Sequence, residues 1–257
     1  MATHTNGTTT NGTPNGAVNG TDPKITLYTN HACPWAHRAH ITLRALKIPY
    51  EEVIIPLDRP RDPWYLEVNP RGLVPTIKIT TADGKLKDEI ITESAIVATF
   101  LADLSPNPTF WPRSEEDPLK RARINFFVDA WFSKVNSSMY PMLKAEGEEK
   151  EKVASDVVAA IKKEIEPLLE NAAPFFGGSE SLTLAEALTA PFVIRFRIFS
   201  EHGLMPASLL KSLDALPNFS KWSKAVCAED AVTYVVDAPS LAKGTEARIA
   251  KMKASAN

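Results

Sequence analysis

One of the chain's two cysteines stands directly before a proline in TNHACPWAHRAH, residues 29–40. Cys33 could serve as a packed thiol, a metal ligand, half of a disulfide or a nucleophile. A β-rich run precedes it and a helical pattern follows, so it falls at a strand-to-helix turn with Pro34 in the first helical turn. Proline suits that place because its missing N–H would have no intrahelical partner. The remaining free N–H groups and the helix dipole favour an anion. A thiolate is such an anion, and cysteines at helix starts fall from ~8.5 to between ~3.5 and ~7.5 in pKa. His37 and Arg38 add positive character one turn on. Residue 36 is Ala, where a Cys-x-x-Cys redox motif would carry its second cysteine. A local disulfide is therefore unavailable, and the thiol's partner must come from outside. A lone cysteine is usually a buried packing group, but this setting argues for a reactive one. His31 and His37 do not supply enough ligands at short spacing for a metal site. No metal is expected, and the two histidines read as surface or capping groups. Cys227 has no comparable setting and reads as a core or surface thiol.

The elements that would position Cys33 can be read on either side of it. KITLYT (24–29) suits a buried strand, and residues 36–48 carry Ala39, Leu43 and Leu46 at helical spacing until Pro49. YEEVIIPL (50–57) is a second strand, and WYLEV (64–68) a possible short helix. VPTIKIT (74–80) and LKDEIIT (86–92) pair as a hairpin across Asp83-Gly84. Residues 92–104 then form a helix with Ile96, Phe100, Leu101 and Leu104 as an apolar stripe. The segment 105–118 carries four prolines and no periodicity, which marks a linker. Beyond it only helical patterns occur, at roughly 119–145, 149–171, 183–201, 206–212 and 217–228. TLAE (183–186) fits a capping box. The C-terminal KGTEARIAKMKASAN is polar and weakly helical at best. The expected organisation is a Thr/Asn/Gly-rich disordered tail over 1–22, an α/β domain over 23–104, the linker 105–118 and an all-helical domain over 119–257.

Bulk properties exclude several function classes. A formal charge of −2 over 257 residues gives no pull toward nucleic acid or acidic membranes. No apolar run approaches the ~20 residues of a membrane span, and no basic, apolar leader opens the sequence. Two distant cysteines form no disulfide framework, so a cytoplasmic setting is expected. Three Asn-Gly-Thr triplets in the tail read as by-products of its composition rather than as glycosylation sites.

CPWAHR (33–38), NPRGLVPTI (69–77), ESAIVATFL (93–101) and TLAEALTAPF (183–192) together resemble the cytosolic glutathione transferases, most closely the omega type and its fungal relatives. The resemblance runs over about 24–228. It implies a thioredoxin-like domain followed by an all-α domain, usually as a homodimer, with glutathione as co-substrate. Cys33 matches the omega-type cysteine that forms a mixed disulfide with glutathione, with Pro34 beside it. Val74-Pro75 matches the segment whose cis proline turns the backbone toward glutathione's cysteinyl unit. Glu93 and Ser94 match the pair that binds the γ-glutamyl end. That role fits a helix start for the carboxylate and an acid for the ammonium. Arg61 lies where omega members carry a basic residue near the glycyl carboxylate, with Arg59 as its competitor. For the second substrate the resemblance points to a pocket involving Trp35, Phe127, Trp131 and Arg195, although most of the stripe of Phe127, Trp131 and Val135 is expected to pack in the core, with one or two facing the cleft. Trp35 also matches the Cys-Pro-Trp-Ala-His-Arg motif of glutathionyl-hydroquinone reductases, whose chains are longer. No aromatic residue occurs after position 239, where omega members contribute one to the pocket.

The function so implied is a thiol transferase or reductase that acts through a Cys33–glutathione mixed disulfide on a small electrophilic or disulfide substrate. Conjugation, isomerisation or elimination on a specialised metabolite is the alternative. A non-catalytic interaction module is the reading from another class.

Overall fold

A computed structural model describes residues 23–105 and 107–254; the expectation for the tail 1–22 lies outside them. Contacts divide the chain into two units, one ending at Leu101 and the other beginning at Ala102.

The first unit is built on strand β1 (Lys24–Thr29), the most buried run of the sheet. It is followed by α1 (Pro34–Ala45), β2 (Glu51–Ile54), α2 (Pro63–Val68), β3 (Thr76–Thr80), β4 (Glu89–Thr92) and α3 (Ser94–Leu104). The sheet order is β2-β1-β3-β4. β1 pairs with β2 in parallel, from Thr26 opposite Glu51 to Thr29 opposite Ile54. β3 is antiparallel to both β1 and β4. This is the thioredoxin-like mixed sheet. Successive β1 side chains face opposite ways. Ile25 and Leu27 pack with Ala39 and Leu43 of α1, Ile77 and Ile79 of β3, and Val97 and Leu101 of α3. Tyr28 instead joins Ala36, Ile55, Tyr65 and Val74. Each fully buried aliphatic side chain contributes on the order of 1.5–3 kcal/mol, so α1 is held on the sheet with its first turn fixed in place. In the β3–β4 connection, Gly84 has φ +70°, and the Asp83 carboxylate accepts from the Thr81 hydroxyl and the Lys85 N–H.

The second unit is largely helical: α4 (Pro118–Ala130), α5 (Met139–Lys144), α6 (Gly147–Ala160), α7 (Leu184–Glu201), α8 (Ala207–Asp214), α9 (Pro217–Ala228), α10 (Asp230–Thr233) and α11 (Ala238–Ala254). Two of these differ from the expected single long helices. The pattern read over 119–145 passes through a π turn at Trp131–Val135 and a 3-10 turn at Asn136–Ser138 before α5. The pattern read over 149–171 does the same at Ile161–Ile165 and Glu166–Leu169. A proline follows each π turn, Pro141 and Pro167, with no N–H to continue an α ladder and a ring that clashes with the preceding turn. The hydrophobic period hides such breaks because the apolar face stays continuous.

The C-terminal segment also corrects its expectation: α11 is a full helix. Its Ala, Lys, Glu, Arg and Met content has high helix propensity, Leu241 and Ala242 are buried, and Lys251 and Lys253 sit in the last turn where the dipole favours cations. Within 107–117, Phe110 and Trp111 are buried. The Trp111 indole N–H donates to Asp103 at 2.9 Å, and the Arg121 guanidinium stacks 3.9 Å above its ring. No described helix is long and apolar enough to cross a membrane.

Candidate active site

Cys33 is the N-cap of α1, with extended backbone (φ −81°, ψ 120°) and Pro34 as the first helical residue. Its N–H donates to the Asn30 carbonyl at 3.0 Å and its carbonyl accepts from the His37 N–H at 3.1 Å. Its side chain makes no capping bond. The half-buried thiol packs against the cluster of Tyr28, Ala36, Ile55, Tyr65 and Val74. Asn30 pins the turn, its amide donating to the Ile55 carbonyl at 2.9 Å and its side-chain oxygen accepting from the Ala32 N–H.

Val74-Pro75 is a cis peptide. The preceding backbone is held by residues the sequence reading missed. The Tyr65 hydroxyl donates to the Leu73 carbonyl at 2.6 Å, and the Asn69 amide donates to the same carbonyl and to the Thr76 hydroxyl, each at 2.9 Å. Asn69 opens NPRGLVPTI, and a polar amide at the head of a glycine–proline loop was the available signal. Arg61 extends along the same loop. Its Nε donates to Gly72 O at 2.9 Å, and its Nη1 to Pro56 O at 2.7 Å and Arg59 O at 2.8 Å. Gly72 has φ +62°, and a Cβ there would meet Arg61 Cγ at 3.0 Å, so only glycine suits the position. Arg59 pairs with Asp62 on the surface.

Glu93 precedes α3 with φ +69°, an uncommon left-handed conformation for a residue with a side chain. Its carboxylate pairs with Arg71, a partner the sequence reading did not anticipate. Both side chains are well exposed, so the pair contributes little to stability. Ser94 opens α3, and its hydroxyl accepts from Arg38 Nη1 at 3.0 Å. Arg38 is 4% exposed, and its guanidinium lies 4.6 Å from the Trp35 ring centroid. Burial lowers its pKa to about 9, leaving it charged at neutral pH. The positive charge expected from Arg38 is thus directed at the start of α3. Of the surface or capping roles expected for His37, burial removes the first: it is fully buried.

The second-substrate residues are dispersed. Trp35 is partly exposed on the first turn of α1. Phe127 and Trp131 have no exposed surface at all; they pack with Phe176, Phe196, Phe219 and Trp222 in the aromatic core of the second unit. Their helical spacing therefore reflects core packing. Arg195 is also buried, and its Nη1 donates to the Pro191 carbonyl one turn back on α7 at 2.6 Å. Cys227 is half-buried, and desolvation pushes its thiol up to about 11.

His40 is buried on α1, with Nε2 at 2.8 Å from the Thr29 hydroxyl and Nδ1 at 3.1 Å from the Tyr50 hydroxyl. Burial, and then the nearby His31, lower its pKa from 6.5 to about 3. Between those values the unfolded chain binds the proton and the folded chain does not. Its contribution to stability is complete above pH ~6.5 and declines by about 1.4 kcal/mol per unit below it. With chelator present, taking the protein from pH ~6.5 to ~5 should cost about 2 kcal/mol through this group. His40→Asn should be correspondingly less acid-sensitive in urea unfolding; an identical acid response would refute the assignment.

Residues 32–104 match the model of the glutathione S-transferase N-terminal domain. The chain is 29% identical over 67% of its length to mouse glutathione S-transferase omega-1, covering 67% of that protein. It is 27% identical to the rat omega-1 enzyme, over 84% of this chain and 82% of that protein. A pyrimidodiazepine synthase of Drosophila melanogaster is 35% identical, but over only 42% of each chain. Among solved structures, glutathione transferase Omega 2C from Trametes versicolor superposes with a TM-score of 0.75 at 26% identity, over 88% of this chain and 99% of that one.

Proposed function

From the premise that the chain is a member of the cytosolic glutathione transferase superfamily similar to the omega type, we propose that it is a glutathione-dependent thiol transferase acting through Cys33. The observation that carries this reading is the placement of Cys33: a half-buried thiol at a helix N-cap, unspent on capping, with Ala36 where a resolving cysteine would stand. The Cys33 thiolate attacks the glutathione sulfur of a mixed disulfide. A Cys33–glutathione bond forms as the substrate's sulfur leaves with the electron pair and takes a proton. A second glutathione thiolate then attacks the glutathione sulfur of that adduct, releasing glutathione disulfide and restoring Cys33. The sum is a two-electron reduction of the mixed disulfide by one free glutathione, the other half of the released glutathione disulfide coming from the substrate.

Val74 and Pro75, at the cis peptide before β3, offer backbone groups for the cysteinyl unit, with Pro34 closing the site beside the thiol. Ser94, supported by Arg38, receives the γ-glutamyl carboxylate at the start of α3, and Glu93 its ammonium. Arg61 faces the glycyl end, its Nε and Nη1 already committed to the loop. A cytoplasmic homodimer completes the reading. The test is intact-protein and peptide mass spectrometry after incubation with glutathione disulfide and with a glutathionylated peptide. The expected product is one glutathione adduct on Cys33, removed by fresh glutathione. An unmodified Cys33, together with a stable thioether product from a chloronitrobenzene, would shift the assignment to conjugation.

A further inference from the structure

A second group of chemically competent side chains lies beside the β1–α1 turn, outside the residues assigned to glutathione. Nε2 of His31 is 3.0 Å from Oε2 of Glu52. One ligand atom each from His31, His40 and Glu52 lies within 4.8 Å of the others. The sequence expectation of no metal rested on short spacing and missed this set because its members come from three elements. The turn supplies His31, α1 supplies His40, and β2 supplies Glu52 through its parallel pairing, in which Glu52 stands opposite Leu27 of β1.

We propose that His31, His40 and Glu52 bind a divalent transition metal of the zinc class. Two imidazoles and one carboxylate with a further position open are a donor set such ions accept; a calcium or magnesium site would need more oxygen ligands. The Glu52 side chain is only 8% exposed, and a carboxylate so covered calls for a cationic or donor partner. Tetrahedral ligation brings donor atoms to about 3.3 Å apart; His31 and Glu52 already stand at 3.0 Å, so the contraction required is of that pair toward His40. His40 is already oriented by the Thr29 and Tyr50 hydroxyls. The metal takes one ring nitrogen in exchange for its hydroxyl, and the other bond keeps the ring in place. The bound ion would tie the turn carrying Cys33 to β2. None of this depends on the glutathione reading.

The test is titration of the untagged, chelator-treated full chain with cobalt(II) chloride, followed by visible absorption, and then displacement by zinc chloride. The expected result is one equivalent bound, with visible ligand-field bands and no near-ultraviolet thiolate-to-metal band. His31→Ala and Glu52→Gln should each weaken binding by ~10-fold or more, with unchanged far-ultraviolet circular dichroism. His40 is left intact in this test because its substitution also changes the acid response of the fold. The proposal is overturned if no ion binds at up to millimolar concentration, if both variants bind as the wild type does, or if a thiolate band shows that a cysteine is the ligand.

Discussion

Cys33→Ala should reduce the rate of glutathione–disulfide exchange by at least ~10³-fold, as removal of a covalent nucleophile does. The dissociation constant for glutathione should change by no more than a few-fold. The two expectations separate because different elements supply the two functions. Cys33 sits at the start of α1 with a side chain that makes no capping bond and packs only partly against the Tyr28 cluster, so alanine there leaves the turn, Pro34 and the Asn30 bonds in place. Binding rests instead on Val74-Pro75 and on Ser94 and Glu93 at the start of α3. Ser94→Ala, or Glu93→Gln, should give the reverse pattern: glutathione affinity weaker by ~10-fold, the value of one charge-assisted hydrogen bond at about 1.4 kcal/mol, with exchange restored at saturating glutathione. Stopped-flow exchange with a glutathionylated peptide and calorimetric titration with glutathione measure the two quantities. Full exchange activity in Cys33→Ala would remove the mechanism. Equal loss of binding in that variant would mean that the thiol is a structural contact.

Much of the first unit was legible because local signals agree with the fold. The β-rich KITLYT, Pro34 at the helix start and Asp83-Gly84 in the hairpin each specify an element without long-range information, whereas the stripe read before Leu104 marks a helix but not its core face: Val97 and Leu101 are buried, while Ile96 and Leu104 are exposed. What was not legible depends on partners far apart in sequence. Arg38 meets Ser94 across the unit, Arg71 meets Glu93, and Tyr65 and Asn69 hold the backbone before Thr76. No periodicity encodes such pairs. Phe127 and Trp131 fail in the opposite way: their spacing was visible, but spacing says which residues share a helix face, not whether that face meets a substrate or the interior. The prolines that follow the two π turns were visible as well, yet an uninterrupted apolar period outweighed them.

Glu186 joins these two cases, and its replacement is expected to have the largest effect on stability. The capping box was legible in TLAE, and it is present: the Thr183 hydroxyl oxygen accepts from the Ala185 N–H, and Glu186 Oε2 accepts from the Thr183 N–H at 2.9 Å and its hydroxyl at 2.7 Å. The other oxygen has a longer reach. Oε1 accepts from the Phe176 N–H at 2.8 Å and from the Trp222 indole N–H at 2.7 Å. One fully buried carboxylate therefore joins the start of α7 to the 3-10 turn at Phe176–Gly178 and to α9. Glu186→Ala removes the acceptor for all four donors in a region that water does not reach. The loss is that of a cap, about 1 kcal/mol, plus the desolvation of stranded N–H groups, for a total of ~3–5 kcal/mol. Glu186→Gln keeps the volume and one oxygen but turns an amide N–H₂ toward donors, so it should recover only part of that. Differential scanning calorimetry should show the main transition lowered by ~10 °C for Ala, with the order wild type, Gln, Ala. A change below about 1 kcal/mol would show that these donors find other partners. In that case Glu186 is a local cap and no more.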